Sequence, residues 1–227
     1  MLEQMLKSKR LTSPLLLDID FKDSPIGSRT MLDKVTGKEL TFALSTVAPL
    51  APAGGVVNHA TYGKVMRLDG AVRWYLENAN FPVNNITFEM EFAGNFSEIP
   101  NETPFIATGG SLGNNRGLKG FSLERGGTAT YPYSLSFYTA DTGSSSGASI
   151  RGTWATGMAT VFADLKKSAI NCGVRETGLV SGDYTLPAQG KNFYLFSAPF
   201  GFAPPYNNSR GLVGYCKSIK VFTNTLV

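Results

Sequence analysis

The sequence predicts an all-β chain, an antiparallel two-sheet β-sandwich preceded by a short N-terminal arm. Three observations lead there. From Leu15 onward, apolar and polar residues alternate with a period of two, the pattern of strands with one buried and one wet face. About a dozen such short runs are separated by Gly, Pro, Asn and Ser. Charged residues make up only 17% of the 227, against 11% aromatics, 25 Gly and 12 Pro, a composition suited to strands and turns rather than solvated helices. A βαβ fold needs repeated helices between strands, and no such segments occur. Coiled-coil heptads are missing, and a 42% hydrophobic share is too high for a disordered chain.

Residues 1–13 form the arm. Met1, Leu2, Met5 and Leu6 fall at i, i+1, i+4 and i+5, ahead of Lys7, Lys9 and Arg10, which predicts one or two turns of amphipathic helix. So short a helix is marginal alone in water. The arm either packs on its own domain or docks on a partner chain, for which Met1, Leu2, Met5, Leu6 and Arg10 are the candidates. The sandwich domain is expected over residues 14–227.

In the first strand Leu15, Leu17, Ile19 and Phe21 point one way, and Asp18, Asp20 and Lys22 the other. Phe88, Met90 and Phe92 alternate with Glu89 and Glu91; Phe121 and Leu123 with Ser122 and Glu124; Leu135 and Phe137 with Ser134 and Ser136; Ile219 and Val221 with Ser218 and Lys220. Further strands are expected at 40–44, 64–69, 72–76, 104–108, 159–164, 169–175 and 192–197. Residues 109–120, 141–153 and 198–211 read as long loops, where binding residues concentrate.

Motifs of catalysis and metal binding are sparse. A single histidine, His59, excludes a His-rich or Cys/His metal centre. There is no G-x-S-x-G elbow, no G-K-[ST] phosphate loop and no linear calcium loop, so no cofactor is expected. A calcium site made of scattered oxygens stays open. Cys172 and Cys216 both fall in expected strands. They either face each other across the sandwich or, as a reducing compartment favours, are two buried free thiols. Glu89 and Glu91 share a strand face at a spacing of roughly 6–7 Å. That is within the range of glycosidase carboxylate pairs, and also what a plain wet face looks like.

Net charge is +4, with no basic stripe beyond Lys7, Lys9 and Arg10, so no nucleic-acid partner is expected. No apolar run approaches the ~20 residues of a membrane span, and no signal-peptide core is evident. No membrane insertion and synthesis in the cytoplasm are the expectations.

The order of segments carries a resemblance. LLLDIDF opens the domain, followed by KVMRLDGAVRWY, ITFEMEF, PFIATGG, GFSLERG and YSLSFYTA, and the chain closes with NFYLFSAP and GYCKSIKVFTNTL. This series resembles the concanavalin A-like lectin/glucanase superfamily, most closely its laminin-G-type (LamG-like) branch. Leu68-Asp69-Gly70, Ile86-Thr87-Phe88-Glu89 and Gly214 to Leu226 stand where that branch has its phrases. The resemblance implies a jelly-roll sandwich. It also implies no catalysis, because the superfamily's E-x-D-x-E-type strand is here Glu89-Met90-Glu91-Phe92-Ala93, without a third acid.

With its arm, the chain is similar to accessory proteins of phage virions. The first expectation is thus a non-catalytic structural or adhesion module of a phage tail or capsid, in contact with other virion proteins or its own copies. The alternative is a lectin-like module contacting, for example, host-surface glycan. Aromatic rings stack on sugar faces and Asn or Arg bond the hydroxyls. The candidates are Asn114, Asn115, Arg116, Tyr131, Tyr133, Trp154, Tyr206, Asn207, Asn208 and Arg210, with Phe200 and Phe202 either joining them or closing the sandwich end. A third alternative is a glycoside hydrolase using Glu89 or Glu91.

Overall fold

A computed structural model describes residues 14–44, 54–70, 72–76, 79, 81, 86–99, 101, 103–107, 120–138, 145–150, 154–166, 169–174, 178–182, 193–196 and 211–223. Among them the strands, in chain order, are β1 (Leu15–Asp20), β2 (Thr41–Leu44), β3 (Gly55–His59), β4 (Gly63–Asp69), β5 (Val72–Leu76), β6 (Ile86–Ala93), β7 (Pro104–Ala107), β8 (Gly120–Thr128), β9 (Tyr131–Tyr138), β10 (Ser145–Ile150), β11 (Ala159–Lys166), β12 (Ala169–Val174), β13 (Gly178–Gly182), β14 (Phe193–Leu195) and β15 (Val213–Thr223). Short 3-10 turns cover Phe21–Asp23 and Phe96–Glu98, and no α-helix occurs among the described residues.

The strands form two antiparallel sheets. The first runs β13-β12-β11-β6-β15-β4-β3, with β1 also paired to β15; the second runs β10-β9-β8-β7-β14-β5-β2. The apolar side of each alternating strand turns inward. Leu17, Ile19, Met66, Phe88, Met90, Ile219 and Val221 from the first sheet meet Trp74, Ile106, Leu123 and Leu195 from the second in one buried cluster. Burial of each such side chain contributes roughly 1.5–3 kcal/mol before conformational entropy is counted.

Two bulges set which side chains reach the core. Register shifts between Cys216 and Ser218 in β15, leaving Lys217 as the extra residue. Cys216, Ile219 and Val221 all face inward as a result, and Ser218 lies opposite Glu91. A second shift, between Pro104 and Ile106, inserts Phe105 into the buried cluster beside Ile106. A bulge turns the strand by one residue and re-aims its side chains.

The turn after Met31 is built around a buried carboxylate. Asp33 is fully buried and accepts from Asp18 N (2.9 Å), Val35 N (3.0 Å), Thr36 N (3.1 Å) and Thr36 Oγ1 (2.5 Å). Lys34 N in turn donates to Asp18 O at 2.8 Å, so this turn covers the free edge of β1.

Several elements differ from the sequence expectation. Residues 145–150, read as part of a loop, form β10 and pair with β9 from Tyr138 to Tyr133. Their Ser, Gly and Ala carry no apolar alternation, so the pattern of a strand is missing from the sequence. The strands β3 and β13 were likewise not expected, being short and glycine-flanked. The two cysteines do not face each other across the sandwich, because both lie in the first sheet. Cys172 is opposite Ala163 and Ala163 opposite Phe88, whereas Cys216 is opposite Phe92. At ~4.8 Å per strand and ~3.4 Å per residue they are roughly 20 Å apart, far beyond the ~7 Å Cα limit of a disulfide. Cys216 is buried and free. The arm residues Met1, Leu2, Met5, Leu6 and Arg10 lie outside the described residues.

Candidate functional site

The β8–β9 hairpin builds one end of the sandwich. Its register shifts between Arg125, opposite Tyr133, and Thr128, opposite Tyr131. The shift is taken up by Gly126 and Gly127. A Cβ on Gly126 would stand 2.0 Å from Tyr131 O, so no other residue fits there. Tyr131 N donates to Thr128 Oγ1 at 3.3 Å and closes the turn. Tyr131 and Tyr133, two residues apart on one strand, project to the same side. Their exposures differ sharply, 3% for Tyr133 and 42% for Tyr131, because only Tyr131 lies beyond the rim of the core.

Behind this rim runs a continuous aromatic stack. Phe92 meets Phe105 edge-on at 5.3 Å, and Phe105 lies 6.1 Å from both Tyr133 and Trp154. Tyr133 stacks on Trp154 at 5.0 Å, and Trp154 meets Phe96 at 5.4 Å. Trp154 Nε1 donates to Gly94 O at 2.8 Å, which satisfies its polar atom and fixes the ring. The turn carrying Phe96 is capped by Asn95, whose Oδ1 accepts from Ser97 N at 3.2 Å and Ser97 Oγ at 2.9 Å. Asn95 Nδ2 donates to Glu98 Oε1 at 3.1 Å.

Arg125 closes the stack. Its guanidinium carbon sits 3.7 Å above the Phe96 ring. Nη1 donates to Asn101 Oδ1 and to Gly126 O (2.8 Å), and Nη2 to Phe96 O (3.2 Å). Nε is buried and has no partner. Burial alone pushes this guanidinium below its ordinary value, and it remains charged at neutral pH. The resulting rim offers an exposed tyrosine ring, the Asn101 amide and a half-buried cation on a braced aromatic base.

The carboxylates of β6 stand elsewhere. Phe88, Met90 and Phe92 point inward, so Glu89 and Glu91 share the outward face of the first sheet. Ser218 Oγ donates to Glu91 Oε2 at 2.6 Å, and Lys217 Nζ lies 3.4 Å from Oε1. Glu89 is opposite Lys220, which is itself opposite Asp18 on the other side. His59 is part of a hairpin. Its ring stacks on Tyr62 at 4.4 Å and approaches Tyr215 at 4.6 Å, and Nδ1 accepts from Thr61 N at 3.2 Å. Among the described residues no three His, Cys, Asp or Glu gather as a metal site would require.

Of the residues singled out from sequence, the structure brings Tyr131, Tyr133 and Trp154 together at this end. Tyr133 is a correction to the proposed sugar surface. Its ring is sealed between Phe105 and Trp154 and presents no face to solvent, so it braces the site from behind. Trp154 is half-buried in the same stack. Asn114, Asn115, Arg116, Phe200, Phe202, Tyr206, Asn207, Asn208 and Arg210 lie outside the described residues. Sequence reasoning missed Arg125, Phe96 and Asn101. The available signal was an arginine at a strand end just before Gly126-Gly127, in a chain with few charges.

No family model and no curated protein matches the sequence. Solved structures do. Domain 4 of AbnA, a GH43 extracellular arabinanase from Geobacillus stearothermophilus, solved in complex with arabinotriose, superposes with a TM-score of 0.62 at 14% identity, covering 95% of each chain. The exoplasmic/lumenal domain of VIP36, in its Ca²⁺/Man-bound form, gives 0.51 at 9% identity, covering 94% of this chain and 93% of that one. A GH54 α-L-arabinofuranosidase gives 0.50 at 9% identity, covering 93% of this chain and 56% of the enzyme. At these identities the likeness establishes the fold, a jelly-roll β-sandwich shared with a lectin and with domains of carbohydrate-active enzymes.

Proposed function

We propose that this chain is a carbohydrate-binding β-sandwich module that holds a saccharide at the β8–β9 end without cleaving it. The observation that carries this is the exposed Tyr131 ring at the same hairpin end as the Arg125–Asn101 pair, with Arg125 seated over Phe96 of the Phe105–Tyr133–Trp154–Phe96 stack. A sugar ring presents an apolar face suited to tyrosine and a rim of hydroxyls suited to amide and guanidinium groups. A rigid platform adds affinity by reducing the ordering cost of binding. Two structures of the same fold were solved with saccharides bound, which supports the reading. Binding without hydrolysis is favoured because Glu91 is tied to a hydroxyl and an ammonium on an open sheet face. A glycosidase acid instead sits in apolar surroundings that keep it protonated.

The test is a glycan array followed by calorimetry on the best binder. Tyr131→Ala should weaken binding about tenfold, the equivalent of ~1.4 kcal/mol. No reducing ends should appear during long incubation with the bound saccharide. An unchanged affinity in Tyr131→Ala would refute the site, and release of reducing sugar that Glu89→Gln or Glu91→Gln abolishes would refute the non-catalytic reading.

A further inference from the structure

We infer that the saccharide taken at the β8–β9 end carries an oxyanion, a uronate carboxylate or a sulfate, and that Arg125 and Asn101 contact it. This rests on the carbohydrate-binding reading and adds the class of ligand. Arginine is charged at every physiological pH. Yet each acceptor on Arg125 among the described residues is neutral: the Asn101 amide oxygen and the carbonyls of Gly126 and Phe96. Among the described residues, the nearby acids are engaged elsewhere. Glu124 follows core-facing Leu123 and so projects to the opposite side of β8 from Arg125. Glu98 is engaged by Asn95. No carboxylate among the described residues lies in ion-pair reach of the guanidinium. A half-buried cation whose acceptors among the described residues are all neutral keeps much of its charge uncompensated by them.

The solvent-side acceptor is Asn101, which is exposed. Its Nδ2 lies 3.6 Å from where a Cβ on Gly127 would be, and the absence of a side chain at Gly127 leaves that flank open. An arriving oxyanion accepts from Nη1 in place of Asn101 Oδ1, and from Asn101 Nδ2 once the amide turns over. Such charge-assisted bonds are shorter and about twice as strong as the neutral one they replace. Tyr131 meets the sugar ring alongside.

The full chain is tested on an array of neutral, uronate-bearing and sulfated glycans, with calorimetry on matched acidic and neutral oligosaccharides. Acidic ligands should bind about tenfold tighter than neutral ones, and more tightly at ~50 mM than at ~300 mM salt. The uronate and sulfate arms separate the two sources of the anion. Asn101→Asp places a carboxylate on Arg125 from within the protein. It should erase the acidic preference while leaving the fold intact, and Arg125→Lys should reduce the preference by removing the planar fork. Equal affinity for acidic and neutral ligands, or an undiminished preference in Asn101→Asp, overturns the anion inference and leaves the carbohydrate reading standing. Binding of no glycan overturns both.

Discussion

Tyr133 of β9 and Trp154, just ahead of β11, lie face to face with ring centroids 5.0 Å apart and planes 10° from parallel. The pair joins the two sheets at the end that carries the candidate site. Trp154→Ala should cost about 3–5 kcal/mol, as for other large aromatic truncations. Trp154→Phe keeps a ring but strands Gly94 O, at about 1–3 kcal/mol. Urea denaturation followed by circular dichroism measures both, and a wild-type midpoint for Trp154→Ala would show that the stack does not join the sheets.

Asp33 accepts two backbone bonds from its own turn and one from Asp18, so its two oxygens hold separate segments together. Asp33→Asn replaces one acceptor oxygen by a donor facing donors. The expected loss is about 2–4 kcal/mol. Exposed Asp23, whose contact with Lys34 is a 3.6 Å surface pair, is the control: Asp23→Asn should cost less than ~0.5 kcal/mol.

Acid should selectively remove the contribution of Asp20. Burial raises its carboxylate, but the Lys22 backbone N–H and the Lys34 and Lys22 ammonium groups outweigh that and hold it below the usual range. A value depressed by folding means that ionised Asp20 adds stability above the unfolded value of ~3.9, and that this is lost as pH falls through the folded value. Asp20→Asn should therefore melt below wild type near neutrality, by under ~1 kcal/mol for a carboxylate whose cation partners stand in solvent. The two melting curves should converge below about pH 4. A gap that persists in strong acid would contradict this origin.

The melting temperature should not respond to reductant, since the cysteine positions are too far apart to be bridged. Cys216 should also resist thiol reagents until the chain unfolds. Its burial, together with nearby Glu91, pushes the thiol well above its ordinary value, so little reactive thiolate forms. Labelling in the native and denatured states followed by mass spectrometry reads this directly. Rapid native modification at Cys216 would contradict its burial.

The fold was legible wherever one face of a strand is greasy and the other charged. Phe88-Glu89-Met90-Glu91-Phe92 announces its pairing geometry, and Leu17, Asp18, Ile19 and Asp20 do the same. It was not legible at β10, where Ser, Gly and Ala give neither face a preference. The bulges at Lys217 and Phe105 were hidden for another reason: they interrupt the very alternation on which the reading depends. For the site, sequence pointed to Tyr131, Tyr133 and Trp154 as sugar-stacking rings without separating rim from core. The distinction is one of depth along β9, which leaves Tyr133 buried and Tyr131 exposed. Arg125 and Asn101 went unnoticed because they belong to different segments that only the hairpin bulge brings into contact.

Strand β15 pairs with β6 along one side and with both β4 and β1 along the other, and Thr223 N reaches back to Pro14 O at 3.0 Å. During synthesis, then, the first sheet has a gap at its centre until residue 223 has cleared the ribosome. The earlier strands must wait with unsatisfied edges, and folding is expected to be slow, late and all at once. A nascent chain stalled before Val213 would expose three open strand edges, and should be the species most prone to sticking to its neighbours.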